Sequence, residues 1–185
     1  MSEVPEGWDR KRVSELFKPK TEGINPYDMA DEYFRYYSLP NFDLGKIEEK
    51  ILGSEIESNK YLFEGEAILV SKLNPRKPRV WHTSSKFKER KICSTEFVVL
   101  NNPVKNCDPT FYSYFISSDI TRPTLESLAS GSTNSHTRFN PTDFKRLKLL
   151  TPPLNEQTKI AEIITSVDDV IKLTEKEIEK LQMLK

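Results

Sequence analysis

Three groupings of residues in this 185-residue chain are of types that do chemistry. Glu48-Glu49-Lys50, downstream of Asp28 and Asp43, imitates an Asp…Glu-x-Lys arrangement that holds a catalytic metal ion. Such a site needs a buried strand to keep both carboxylates on one metal, and none is expected in this turn-rich stretch. Thr151-Pro152-Pro153-Leu154 keeps the two prolines of an Asn/Asp-Pro-Pro-aromatic loop. It lacks both the amide or acid that would bond a target amino group and the aromatic that would stack on a base. His82 and His136 stand 54 residues apart, with no cysteine or carboxylate pattern that would join them as ligands. Cys93 and Cys107 lie in no nucleophile signature and are too few for a four-ligand zinc site or a disulfide framework. No glycine-rich loop would cradle a nucleotide. No catalytic residue, metal or cofactor is therefore expected, and two free thiols suit a reducing cytoplasm.

Binding is the better reading, and it comes from charge. Lys plus Arg equals Asp plus Glu, 28 against 28, which by itself argues against a nucleic-acid binder. The zero is an average. Residues 1–66 carry a net −6, residues 71–91 a net +7, residues 92–154 a net +1 and the remainder −2. The basic stretch holds Lys72, Arg76, Lys77, Arg79, Lys86, Lys88, Arg90 and Lys91 against Glu89 alone, interleaved with Trp81, His82, Ser84 and Phe87. Cations that neutralise phosphates thus sit beside groups that bond or stack on bases. The plain alternative is a solvated, lysine-rich loop.

The elements that would position these residues fall into three zones. The first, to about residue 66, is rich in turns and tyrosine. It has a short element at Val13 to Phe17, a break at Asn25-Pro26-Tyr27-Asp28, and four aromatics round Arg35 in Tyr33-Phe34-Arg35-Tyr36-Tyr37. The second, about 67–150, predicts strands at Ala67–Leu73, Thr95–Leu100 and Leu147–Leu150. Asp108-Pro109 and Asn140-Pro141 are helix starts with a side-chain cap and proline in the first turn, and a further short helix is predicted at Thr124–Ala129. The pattern is α+β with no βαβ rhythm.

The third zone is one long helix, capped by Asn155 after two prolines. Ile160, Ile164, Val167, Ile171, Thr174, Ile178 and Leu181 recur at spacings of four and three, a heptad seam over about three repeats. A rod of about 45 Å is too long to bury that seam against one small core, so a partner helix is expected. The alternative is a helix folded back on its own domain. No apolar run approaches a membrane span, and Met1–Glu6 has no signal-peptide pattern, so a cytoplasmic protein is expected.

In order and spacing these pieces resemble the specificity subunit of type I restriction–modification systems. The resemblance rests on Pro5-x-Gly7-Trp8, Gly65–Pro75, Cys93–Leu100, Gly131-Ser132-Thr133 with Arg138-Phe139, and Pro152-Pro153-Leu154-x-Glu156-Gln157-x-x-Ile160-Ala161 before the helix. It implies a globular target recognition domain over residues 1–153 and a coiled-coil spacer helix over 154–185. Subunits of this family usually carry two such domains and two antiparallel helices, read a bipartite double-stranded DNA site and have no catalytic activity. They recruit two copies of an adenine methyltransferase (modification) subunit and, in the full enzyme, an ATP-dependent restriction/translocase subunit. One domain and one helix would be half a specificity subunit, which is expected to form a homodimer through residues 156–184.

In that light Arg76, Lys77, Arg79, Lys86, Lys88, Arg90 and Lys91 become candidate DNA contacts, with His82 beside them and Trp81 evenly divided between DNA and the core. Asn134, His136 and Arg138 of the polar loop, and Arg35 and Tyr36 of the first zone, complete the set. The main rival is a protein–protein adaptor with a coiled-coil helix and no sequence-specific DNA binding. A metal-dependent nuclease hidden in the first zone is the other. The bases read stay open.

Overall fold

Ala67-Ile68-Leu69-Val70-Ser71 is buried at every position, as in a strand covered on both faces. The computed structural model, which describes residues 4–84, 86–130 and 137–183, puts this strand at the centre of the domain. In chain order the elements are β1 (Asp9–Arg12), α1 (Val13–Leu16), β2 (Thr21–Ile24), a 3₁₀ turn (Pro26–Met29), β3 (Tyr33–Tyr37), α2 (Leu39–Asp43), β4 (Glu49–Leu52), a second 3₁₀ turn (Gly53–Glu55), β5 (Lys60–Phe63), β6 (Ala67–Ser71), β7 (Val80–His82), β8 (Arg90–Ser94), β9 (Phe97–Asn101), α3 (Pro109–Ser117), α4 (Arg122–Ser127), β10 (Ala129–Ser130), β11 (Arg138–Phe139), α5 (Pro141–Arg146), β12 (Lys148–Thr151) and α6 (Leu154–Met183).

Two sheets carry the domain, one of three strands in the order β7-β6-β9 and one of five in the order β2-β5-β8-β3-β4. Side chains alternate across a strand, so the three-stranded sheet serves two cores. Ile68, Val70, Val80, Val98 and Leu100 pack against α1, α3 and α5 through Leu16, Phe111, Tyr112, Ile116 and Phe144. Ala67, Leu69, Trp81, Phe97 and Val99 face the other way, onto Tyr37, Phe63 and Cys93 of the five-stranded sheet. The outer face of that second sheet is covered through Phe34, Ile56 and Ile92. The architecture is α+β: helices, then a three-stranded sheet, then a five-stranded sheet.

The first zone is more regular than its composition suggests. Tyr33–Tyr37 is an interior strand of the five-stranded sheet, parallel to β8 and antiparallel to β4. Nothing local in the sequence announces a pairing between segments some 55 residues apart. β1 likewise pairs antiparallel with β12, Asp9 opposite Thr151, and so brings the chain's start to the foot of the long helix.

Predicted helix starts are realised by their caps. The Asp108 carboxylate accepts from the Phe111 N–H at 3.1 Å, and the Asn140 side chain accepts from the Thr142 N–H at 2.8 Å. The short helix α4 runs from Arg122 to Ser127, starting two residues earlier than predicted. The long helix starts at Leu154 rather than after an Asn155 cap, with the Pro153 carbonyl accepting from the Glu156 and Gln157 N–H groups.

Helix α6 is held to the domain by its first turns. Gln157 is fully buried, accepts from the Asp108 N–H at 2.9 Å, and donates to the carbonyls of Asn106 and Pro152 at 3.2 and 2.8 Å. Trp8 Nε1 donates to Glu156 at 3.0 Å, and Tyr114 donates to Asp168 at 2.7 Å. These bonds explain the Pro-Pro-Leu-x-Glu-Gln stretch as a joint between helix and domain. Gln157→Ala strips a buried carbonyl pair and one N–H of their partners, and is expected to cost about 1–3 kcal/mol in urea unfolding. An unchanged unfolding midpoint would show that the joint is not held this way.

From Asp169 to Met183 every residue of α6 is exposed. Ile160 packs on the domain's own core, which removes it from the expected intermolecular seam, and Ile164 is half-buried. Val167, Ile171, Thr174, Ile178 and Leu181 stay exposed. Among the described residues no helix is long and apolar enough to cross a membrane.

Candidate nucleic-acid interface

The β6–β7 connection is a turn built to present cations. Asn74 adopts φ 52°, a left-handed conformation that asparagine tolerates, and its carbonyl accepts from the Lys77 N–H at 3.0 Å across Pro75 and Arg76. Arg76 and Lys77 thus stand exposed at the tip of a hairpin, without an ionic or hydrogen-bonded side-chain partner among the described residues. The same hairpin meets the segment after the polar loop: Leu73 bridges Arg138, and the Asn74 N–H donates to the Thr137 carbonyl at 2.9 Å. Two stretches that the sequence keeps some 60 residues apart therefore share one edge. Asn134 and His136, the other candidates of that loop, lie outside the described residues.

The basic stretch does not form one patch. It runs from this edge along β7 and through a loop to the start of β8, which lies in the other sheet. Only Arg76, Lys77, Lys86 and Lys88 among its candidate cations are exposed and unpaired among the described residues.

Every other arginine of the candidate set meets a carboxylate. Arg79 makes a two-pronged pair with Asp43 at the end of α2, at 2.7 and 3.1 Å. Arg138 forms the same kind of fork on Glu96, at 3.1 and 3.3 Å. Arg90 lies 3.1 Å from Glu32. Arg35 stacks 4.0 Å over the Phe87 ring and stands 3.5 Å from Glu89, which Lys50 also approaches at 3.4 Å. Hydrogen bonding and these two cations hold the Glu89 carboxyl below its ordinary range, a backbone bond contributing most. His82 Nε2 is 2.6 Å from Glu66.

Two candidates are withdrawn from the surface altogether. Trp81 is buried, edge-on to Tyr37 at 4.9 Å and to Phe42 at 6.1 Å, so the core role takes it. Lys91 is buried too. Its ammonium donates to the Gly65 carbonyl and, at 3.3 Å, to the Ser84 carbonyl, and burial lowers its pKa. It pins the loop before β8 rather than meeting solvent. Tyr36 is half-buried beside the Lys60 ammonium, 5.4 Å from its ring, and burial raises its pKa.

The groups with catalytic pretensions are dispersed. Lys50 turns to Glu89, Glu49 accepts from the Asn41 side chain at 3.1 Å, and Asp43 holds Arg79. Burial pushes the Cys93 thiol up and the Cys107 thiol up to about 12, the opposite of what a nucleophile needs. Among the described residues no three His, Cys, Asp or Glu side chains converge as metal ligands.

Comparison with known proteins bears on the family and the fold. Residues 5–183 match the family model described as type I restriction modification DNA specificity domain. The HsdS subunit from Thermoanaerobacter tengcongensis is similar in fold at a TM-score of 0.76 and 22% identity, over 92% of this chain and 44% of that one. A chain solved for complex assembly and conformational transition of the type I R-M system matches at 0.74 and 22%, over 98% of this chain and 46% of that one. The chain thus spans less than half the length of the solved chains it matches.

Proposed function

Because the chain belongs to the family of type I restriction modification DNA specificity domains, we propose that it reads DNA sequence without catalysing a reaction, as one half of a bipartite reader. The observation that carries this reading is the β6–β7 hairpin tip, where exposed Arg76 and Lys77 adjoin Thr137-Arg138 on one edge. An exposed arginine there suits the bidentate contact to guanine O6 and N7, and the lysine suits a phosphate. Asn134 and His136 belong to the same proposal. Lys86 and Lys88 supply further phosphate contacts, and Arg79, Arg90, Arg138, Arg35 and His82 do so only by leaving their carboxylates.

In this reading two copies pair through antiparallel helices and set identical domains on the two halves of an interrupted palindrome. The assembly works in the cytoplasm, positions an adenine methyltransferase (modification) subunit on its target, and admits an ATP-dependent restriction/translocase subunit. Sequencing the methylome of a host that expresses the chain with its methyltransferase would report the target directly.

For the tip itself, Arg76→Ala with Lys77→Ala is expected to weaken binding to duplex DNA and to flatten the log–log salt dependence by about 0.9, the one phosphate contact assigned to Lys77. Fluorescence anisotropy across a salt series checks this. If slope and affinity stay put, the contact surface lies elsewhere. If the wild-type chain binds no DNA with or without the methyltransferase, an adaptor role replaces the proposal.

A further inference from the structure

The carboxylates that hold the arginines come mostly from outside the basic stretch. Glu32 and Asp43 belong to the acidic first zone, and Glu96 to the β8–β9 turn. Each of the three faces one arginine of the candidate interface, Arg90, Arg79 and Arg138, at 3.1 Å or less, and two of the pairs are forked. One partner of each pair is well exposed, so the pairs add little to stability; between exposed partners such pairs give about 0–1 kcal/mol. Their consequence is for binding. An arginine that leaves a carboxylate for a phosphate exchanges one charge-assisted fork for another and leaves an anion facing the DNA. The exchange gains little, and the exposed carboxylate repels the backbone.

We propose that Glu32, Asp43 and Glu96 are built-in counterions that mask Arg90, Arg79 and Arg138 and so suppress sequence-independent DNA binding. The inference rests on the DNA-reading function above and adds residues that govern its selectivity. Non-specific affinity grows with the number of phosphates neutralised, and a genome presents about 10⁶–10⁹ competing sites. Of the candidate cations among the described residues, a reader whose arginines are already neutralised meets those sites with Arg76, Lys77, Lys86 and Lys88. Two carboxylates of the acidic first zone, Asp43 and Glu32, are thus matched in space to cations of the basic stretch.

The test uses the full chain, a duplex of arbitrary sequence and anisotropy from low to moderate salt. The triple variant Glu32→Gln, Asp43→Asn, Glu96→Gln frees three arginines. It is expected to bind at least tenfold more tightly at low salt, with the log–log slope steeper by about 2.7. A charge-matched control, Glu22→Gln, Glu57→Gln, Glu126→Gln, removes three exposed carboxylates for which no cation partner is present among the described residues. It is expected to steepen the slope by less than 1. Adding Arg79→Gln, Arg90→Gln and Arg138→Gln to the unmasked triple should return the slope to the wild-type value. Equal gains in the triple and the control would overturn masking in favour of a bulk-charge effect. A triple with wild-type slope and affinity, in a chain whose binding still falls on Arg76→Ala with Lys77→Ala, would overturn masking and leave the DNA-reading function standing. No binding by the wild type, the triple or the chain with its methyltransferase would remove both. Circular dichroism of each variant, compared with the wild type, keeps a folding defect from passing for either result.

Discussion

Trp81→Ala is expected to lower the unfolding free energy of the domain by about 3–5 kcal/mol. Trp81 sits on β7 facing the space between the two sheets, where Tyr37 and Phe42 meet its ring edge-on and Leu69, Phe97 and Val99 line the same core. Truncation leaves a void walled by strands of both sheets, which cannot collapse without moving their registers, so the loss should lie in the upper part of that range. Trp81→Phe keeps most of the contact area and should cost less than half as much. Urea unfolding followed by far-ultraviolet circular dichroism measures both. The DNA consequence is distinct: under conditions where Trp81→Ala stays folded, its affinity should equal the wild type's. Loss of DNA binding with an unchanged unfolding free energy would reverse the assignment and make the ring a base-stacking group.

Trp81 also illustrates where sequence reading stops. A tryptophan among lysines and arginines has two sound interpretations, and they differ only in which way one strand faces. That orientation is fixed by pairing, Leu69 opposite Trp81 and Val70 opposite Val80, which follows from the register of the β6–β7 hairpin. Features written in adjacent residues were legible: the buried run of β6, the Asp108-Pro109 and Asn140-Pro141 caps, the α+β class and the long helix. Features made by distant residues were not. The parallel pairing of β3 with β8 and the antiparallel pairing of β1 with β12 join segments whose local composition is indifferent to the partner.

Charge shows the same division at the candidate interface. Counting along the chain finds the +7 stretch, because it is contiguous. It does not find that Glu32 and Asp43 fold back onto Arg90 and Arg79, nor that Lys91 is buried on two carbonyls. Lys91 lies between exposed Arg90 and buried Ile92, with nothing in its type to distinguish it from Lys88. The residues left exposed and unpaired, Arg76, Lys77, Lys86 and Lys88, were all in the sequence-derived set.

Replacing Ile171 and Ile178 of the exposed seam by aspartate is expected to abolish self-association. At 100° per residue, Ile163, Val167, Val170, Ile171, Thr174, Ile178 and Leu181 fall within a face of about 100°. Gln157, Ala161 and Asp168, which hold the helix to the domain, lie on a neighbouring face. The helix therefore docks with one stripe and leaves another bare, and Ile171 and Ile178 are each 49% exposed. In a two-fold antiparallel pair each substitution counts twice. Each is half exposed, so four isoleucines would lose about half of the 1.5–3 kcal/mol of a full burial apiece, about 3–6 kcal/mol in all. That is about two to four decades in the dissociation constant. Sedimentation equilibrium at tens of micromolar should find a dimer for the wild type and a monomer for the double variant. Leu173→Asp, exposed but roughly 60° outside the seam, should leave the dimer mass unchanged. Circular dichroism should show α6 retained in both, because Gln157, Ile160 and Tyr114 anchor its first turns independently of the seam. A wild-type monomer with the helix intact would sink the paired-helix reading. Equal mass loss from Leu173→Asp would move the interface to another face.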